Sequence, residues 1–310
     1  MMADYEKLTG QMALQLAAPH TWVASIGPAL FAILFCRMEG YFLQVWQEIF
    51  LLVSCIFLQS SVNTFNDYID FIKGTDGIED CLEEKDAVLL HHHLSPRQVI
   101  SLGICYLFFG VILGVLASLP AGYLPLGIGC IGLFAILCYS GGPFPISYLP
   151  IGEIVSGFAM GALIPLGIVA CSDGGLQFQV ILYALPFVIG IAFIMLTNNS
   201  CDIEKDKLAK RCTLAVLLGR KRSKKIYQGL LVLWGISIVF LSARSLEFFS
   251  CISIFFLVLA RHKIGYLWKS SLLAQDRIEQ MKNIVLANII INGGYLLAMA
   301  SYILVELILA

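Results

Sequence analysis

Two polar clusters hold the residues of this chain best suited to chemistry. The first reads Asn66-Asp67-Tyr68-Ile69-Asp70, followed by Lys73-Gly74-Thr75-Asp76. The second reads Asn198-Asn199-Ser200-Cys201-Asp202, with Asp206 four residues on. Each closes a strongly apolar segment, where carboxylates are expensive, so such residues mark a functional site. Two clusters of one type point to a single composite site. Asn66 and Asp70 are four apart, as are Asp202 and Asp206, so each pair shares one face of its helix. Asn198 extends the second row by a turn. Gly74 is placed to end the first helix and let Asp76 fold back over the site. Carboxylate and amide oxygens suit a hard divalent cation, Mg²⁺, shared with the phosphates of a substrate. There is no His–Cys set of the kind zinc prefers and no P-loop glycine pattern. A solvated acidic loop is the better reading of Glu79, Asp80, Glu83, Glu84 and Asp86. For Asn66, Asp70, Asp202 and Asp206 the recurring spacing favours function over simple helix capping.

The elements that position these clusters follow from composition. The 310 residues are 59% hydrophobic and 13% charged, with mean hydropathy +0.85. A soluble domain carries about 25% charged and about 45–50% apolar residues. This is therefore an all-α integral membrane protein: its apolar runs approach or exceed about 17 residues, whereas barrel strands alternate over about 10. Nine spans are expected, at 21–35, 49–65, 99–119, 124–139, 151–170, 180–197, 226–241, 248–260 and 284–309. Residues 1–19 lack the basic start and short apolar core of a cleavable signal, and read as an interfacial helix leading into the first span. The chain reads as one transmembrane domain over 1–310. Its ten cysteines, scattered without a CxxC pair, read as small buried hydrophobes.

Both clusters follow even-numbered spans, the second and the sixth, and so share one face of the membrane. Of 20 Lys and Arg residues, nine lie in the connection after the sixth span, from Lys205 to Lys225. Arg261, Lys263, Lys269, Arg277 and Lys282 follow the eighth. The opposite connections are nearly bare, 118–123 without charge and 172–179 with Asp173 alone. The basic excess places the motif loops and the N-terminus in the cytoplasm and the C-terminus outside, in a multi-pass protein of the cell (inner) membrane. Nothing in this charge pattern calls for a nucleic-acid partner. The block Arg220–Lys225 is explained by topology alone, though it also suits anionic lipid. His91-His92-His93 has no partner at metal-binding spacing and reads as a solvated loop. Glu153 either orients the loop before it or caps a helix start.

The motifs carry a resemblance. Asn66-Asp67-x-x-Asp70 with Gly74-x-Asp76, then Asn198-Asn199-x-x-Asp202-x-x-x-Asp206 running into Arg211-Cys212-Thr213-Leu214-Ala215-Val216-Leu217-Leu218-Gly219, resembles the UbiA superfamily of membrane prenyltransferases. Nine spans with cytoplasmic motif loops fit that superfamily's helical bundle around one cavity. Gly141-Gly142-Pro143-Phe144-Pro145-Ile146-Ser147-Tyr148 before Gly152-Glu153, with Gly74-x-Asp76 and the Thr-Leu-Ala-Val run, is most similar to 1,4-dihydroxy-2-naphthoate polyprenyltransferases of menaquinone synthesis. Two positions depart from the pattern: Cys201 and Ala18 stand where family members often carry Arg.

The resemblance implies an enzyme that uses Mg²⁺, a polyprenyl diphosphate and an aromatic acceptor. Asn66, Asp70, Asp76, Asn198, Asp202 and Asp206 would hold the metal. Asn66, Asp67, Lys73, Asn199, Lys205, Lys210 and Arg211 would contact substrate. Asp70, Asp202 and Lys73 would act on the leaving diphosphate, and Tyr139 would stabilise the allylic cation by its ring face. Interfacial anchoring explains Tyr139 equally well, and a lysine at a helix end explains Lys73 equally well. Two other readings stay open. One is prenyl transfer to another acceptor, 4-hydroxybenzoate or a lipid. The other is a transporter, whose intramembrane carboxylates would line a pathway.

Overall fold

Thr9 accepts a hydrogen bond from the Met12 N–H and starts α1 (Gly10–Leu16), the first of sixteen α-helices among the described residues. The computed structural model describes residues 5–74, 88–173 and 175–309, and every regular element among them is helical. Ala18, at φ 47°, and Pro19 turn the chain into α2 (Val23–Met38), so that Gly10–Thr21 and Val23–Met38 meet at 61°. Within the expected interfacial segment, the described residues hold this one short helix.

The order then runs α3 (Val45–Lys73), α4 (Val88–His91), α5 (Pro96–Ser118), α6 (Tyr123–Ser140), α7 (Gly152–Phe158) and α8 (Ile164–Asp173). It continues with α9 (Gln179–Tyr183), α10 (Leu185–Cys201), α11 (Ile203–Leu208), α12 (Leu214–Leu218) and α13 (Arg220–Ser245). The last three are α14 (Ser250–Leu259), α15 (Arg261–Lys269) and α16 (Arg277–Leu309). A wide π turn, Ala159–Leu163, joins α7 to α8. Pro165 explains it: the ring has no N–H to donate and would press on the carbonyl one turn back.

All nine expected spans fall on helices. Among the described residues six segments are long and apolar enough to cross a membrane, and two bent pairs raise the number to eight. The ninth, α10, is apolar but has only 17 residues. Pro186 near its start divides the run that begins at Gln179, which is why length falls short there.

Close packing relies on small residues, as expected where lipid competes for apolar surface. Along α3 and α5, the Ser54 hydroxyl donates to the Gly110 carbonyl (2.7 Å) and the Ser61 hydroxyl to the Gly103 carbonyl (3.0 Å). Gly157 and Gly161 bring α7 and the π turn against α10. A methyl group on Gly161 would lie 2.5 Å from the Val188 Cα. Gly161→Leu should therefore destabilise the protein by about 1–3 kcal/mol or more. A thermal melt in detergent checks this, and an unchanged Tm would contradict the contact.

A buried polar ladder ties α10, α13 and α16 together. The Trp234 indole donates to Asn292, the Asn292 amide to Asn288 and the Asn288 amide to the Gly190 carbonyl, over 3.1–3.2 Å. Facing outward instead are Phe108, Phe134, Phe240 and Phe255, as befits a wall against hydrocarbon. Inside, α1, α2, α3, α5 to α8, α10 and α16 line a cavity of about 990 Å³. It follows α3 from Leu51 to Asp70, roughly 28 Å at 1.5 Å per residue. Leu58, Val62, Leu133, Ile136, Met160 and Ile168 make most of its length apolar; Asn66, Asp67, Asp70, Asn198 and Arg277 make one end polar.

Candidate active site

α3 runs past the expected 49–65 span to Lys73, so Asn66, Asp67 and Asp70 ride on its final turns. Gly74 then ends it at φ 61°, with its N–H on the Phe71 carbonyl, because a left-handed residue closes the helix most easily when it has no Cβ. Asp76 lies outside the described residues. The second motif sits at a helix break. α10 ends at Cys201, Asp202 links it to α11, and Asp206 points inward from α11 with 3% of its surface exposed.

Arg211 joins the two motifs. Its guanidinium donates to Asp70 of the first and lies 3.8 Å from Asp206 of the second. Asp206 also accepts from the Thr213 hydroxyl (3.2 Å), and its carbonyl accepts the Arg211 N–H (2.8 Å). The Tyr148 ring carries two cations, the Arg211 guanidinium at 4.8 Å and the Lys73 ammonium at 4.5 Å from its centre. The Tyr148 carbonyl accepts the Cys212 N–H (2.9 Å), which fixes the 141–148 loop to the second motif.

A second cation comes from far along the chain. Arg277, the first residue of α16, donates through Nε to Asp202 (3.2 Å) and through Nη2 to Asn198 (2.7 Å). Beside it Cys201 is fully buried, and its thiol donates to Gln280 (3.3 Å). The arginine that resemblance would put at 201 is thus answered by Arg277 on another helix.

The remaining expected residues divide between cavity and scaffold. Asn66 accepts from the Ser140 hydroxyl at the cavity's polar end. Tyr139 lines the cavity, its hydroxyl accepting from Ser156 (3.1 Å). Asp67 accepts the Val88 N–H (2.9 Å) and so holds the start of α4. Asn199 turns to Glu153, donating over 2.9 Å, while the other Glu153 oxygen is buried with no hydrogen-bond partner. Lys205 lies within electrostatic reach of Asp202 and Asp206. Lys210 is exposed, at φ 56° just after α11, away from these contacts.

Burial pushes the Asp206 carboxyl up to about 6, Asp202 adding to the rise and Arg211 opposing it. Asp202 is likewise raised by burial, against the pull of Arg277. Carboxylates desolvated in this way gain from any nearby cation. Among the described residues no three His, Cys, Asp or Glu side chains gather into a metal cluster. The donor chemistry nevertheless fits Mg²⁺. Asn66, Asp70, Asn198, Asp202 and Asp206 all offer oxygen, and two guanidinium ions already stand against the carboxylates where the motifs converge.

Residues 25–283 match the model of the UbiA prenyltransferase family. The chain belongs to that family. It is a multi-pass membrane prenyltransferase, as its apolar helices and its relatives agree. A 1,4-dihydroxy-2-naphthoate octaprenyltransferase of Bacillus subtilis is 33% identical over 221 residues, 71% of this chain and 70% of that protein. A protein of the same description from Mycobacterium tuberculosis is 30% identical over 62% of this chain and 64% of its own length. Among solved structures, a UbiA homolog from Archaeoglobus fulgidus bound to GPP and Mg²⁺ superposes with a TM-score of 0.61 at 14% identity, covering 94% of this chain and 99% of the other. That likeness bears on the fold, an all-helical bundle around one cavity.

Sequence reasoning missed Arg277, Ser140 and Gln280 as members of the site. In the sequence Arg277 reads only as a topology-setting charge, and no local spacing ties it to residue 202. Tyr148 was legible as part of a motif, but its place beneath two cations is a tertiary fact.

Proposed function

We propose that this prenyltransferase transfers a polyprenyl group from polyprenyl diphosphate to 1,4-dihydroxy-2-naphthoate with loss of CO₂, a step of menaquinone synthesis. One observation carries the reading: both aspartate motifs meet at the polar end of a long apolar cavity, linked by Arg211. The naphthoate enzymes among its relatives support the acceptor.

Asn66, Asp70, Asn198, Asp202 and Asp206, with Asp76, would hold Mg²⁺, which when bound supplies charge to a leaving diphosphate. Lys73 and Arg211, held on the Tyr148 ring, place cations at the same end for the phosphate oxygens. As the allylic C1–O bond breaks, its electron pair leaves with the diphosphate. The Tyr139 ring, anchored by Ser156, presents its face to the cationic carbon. The apolar walls exclude water that would otherwise capture it. The ring carbon bearing the carboxylate attacks C1; the electrons of its bond to the carboxylate return to the ring as CO₂ departs. The isoprenoid tail needs no polar recognition along the apolar length of the cavity.

The transporter reading is disfavoured by the same wall. Among the described residues the acids lining the cavity are Asp67 and Asp70, both at one end, so no pathway across the membrane is marked. The deciding experiment is a membrane assay with polyprenyl diphosphate and a panel of aromatic acceptors, read by mass spectrometry. Product with 1,4-dihydroxy-2-naphthoate is expected; product with 4-hydroxybenzoate alone would reassign the acceptor.

We place the motif loops and the N-terminus in the cytoplasm and the C-terminus outside. Cys212 is exposed beside Arg211, and Tyr123 is 92% exposed at the start of α6. In single-cysteine variants, a membrane-impermeant thiol reagent should label Cys212 from the cytoplasmic side and Tyr123→Cys from the other. Labelling of both from one side would overturn the topology.

A further inference from the structure

Three of the cations near the motifs, Lys73, Lys205 and Arg211, stand outside the cavity wall; Arg277 and Lys282 are part of it. Arg277 is held firmly in place. Its guanidinium is fixed by Asp202 and Asn198, and only 11% of the side chain is exposed. A planar guanidinium fork matches a carboxylate in geometry as well as charge. Next to it in the wall lie Ile278, Met281 and Met195, apolar surfaces suited to the faces of an aromatic ring. The residue before Asp202 is a buried neutral thiol, so strong positive charge reaches this side of the chamber from α16. The phosphate groups have another pair of cations, Lys73 and Arg211, on the Tyr148 side.

We infer that Arg277 is a specificity-determining residue that binds the carboxylate of an aromatic carboxylate acceptor. The inference rests on the prenyl-transfer reading above, since the acceptor ring must enter the same chamber to reach C1 of the donor. It makes the carboxylate the acceptor's handle until it is released. An oxyanion of the donor has the same chemistry, and the test separates the two sources.

The experiment compares wild type, Arg277→Gln and Arg277→Lys with two acceptors, 1,4-dihydroxy-2-naphthoate and the same ring without its carboxylate, 1,4-dihydroxynaphthalene. Both acceptors share donor, metal and fold, so general damage cancels in the ratio of their kcat/KM values. Wild type should prefer the carboxylate by about 10- to 100-fold, the range for a buried charge-assisted contact. Arg277→Gln should bring the ratio close to one without raising the donor KM, and Arg277→Lys should keep part of the preference. A parallel fall with both acceptors would overturn the inference and leave Arg277 a residue that merely orients Asp202 and Asn198. A raised donor KM with the preference intact would assign the oxyanion to the phosphate and overturn it as well.

A binding arm needs no turnover. Equilibrium dialysis of 1-hydroxy-2-naphthoate against 1-naphthol should show the same preference and its loss in Arg277→Gln. If wild type prenylates neither ring, the function proposed above fails while this arm still decides the carboxylate site. Naphthoate binding indifferent to residue 277 would overturn it.

Discussion

Asp70→Asn and Asp202→Asn should each lower prenyl transfer by about 10²–10³-fold, the loss typical when one charged group is removed from a preorganised site. The two changes remove one negative charge each with almost no change of shape. They act on different motifs and different cations: Asp70 faces Arg211, and Asp202 faces Arg277. If the motifs form one site, both variants should fail alike, although 132 residues separate them in sequence. Folding should survive, since an amide oxygen still accepts from the facing guanidinium. Equal purification yield and an unchanged melt in detergent would show that. Near-native turnover in either variant, assayed with Mg²⁺ and saturating donor, would sink the composite site. Asp206→Asn should follow the same course, with some loss of stability because Asp206 is buried and bonded to Thr213.

How far the site was legible beforehand depended on the range of the interactions involved. Asn66 and Asp70, or Asp202 and Asp206, reveal themselves by helical spacing, because periodicity is a local property. Gly74 is equally local: a glycine after Lys73 ends α3, as expected. The parity of the spans brought both motifs to one end, and α3 and α11 do meet there through Arg211. Composition was decisive for the helical membrane class, since long apolar runs leave little alternative.

What sequence could not disclose is equally specific. Hydropathy alone stops at residue 65, because it marks where a helix is apolar, not where it ends; only the spacing of Asn66 and Asp70 and the glycine at 74 carry the helix on to Lys73. Pro165 is visible in the sequence, but the π turn it induces, seated against α10 through Gly161, is not, and the bend at Ala18 depends on one left-handed residue. Arg277 shows the limit best. Its partners, Asn198 and Asp202, are 79 and 75 residues away, and only the folding of α16 against α10 brings them together. Asn199 is the converse case. It lies inside a motif, yet its amide faces Glu153 behind the site, because a residue one position from Asn198 points about 100° around the helix from it.

Chelation should abolish activity, and added Mg²⁺ should restore it while Ca²⁺ restores little. The site favours a second source of positive charge for a physical reason. Desolvation raises both Asp202 and Asp206, and the cations beside them offset that only in part. A diphosphate brings further negative charge to the same end, which Arg211, Arg277 and Lys73 already share with Asp70, Asp202 and Asp206. Donor and protein would therefore repel unless a divalent cation entered with the donor, so donor affinity itself should depend on metal. Mg²⁺ serves this better than Ca²⁺ because it holds its ligands at about 2.0–2.1 Å rather than about 2.3–2.6 Å and concentrates its charge accordingly. The measurement is donor binding by isothermal titration in chelator, in Mg²⁺ and in Ca²⁺, alongside turnover under the same conditions. Tight donor binding in chelator, unaffected by added Mg²⁺, would show that the arginines and Lys73 suffice, and the carboxylates would then need another role. Asp202→Asn offers an internal check: with one carboxylate neutralised, repulsion falls, so donor binding in chelator should strengthen even as turnover is lost.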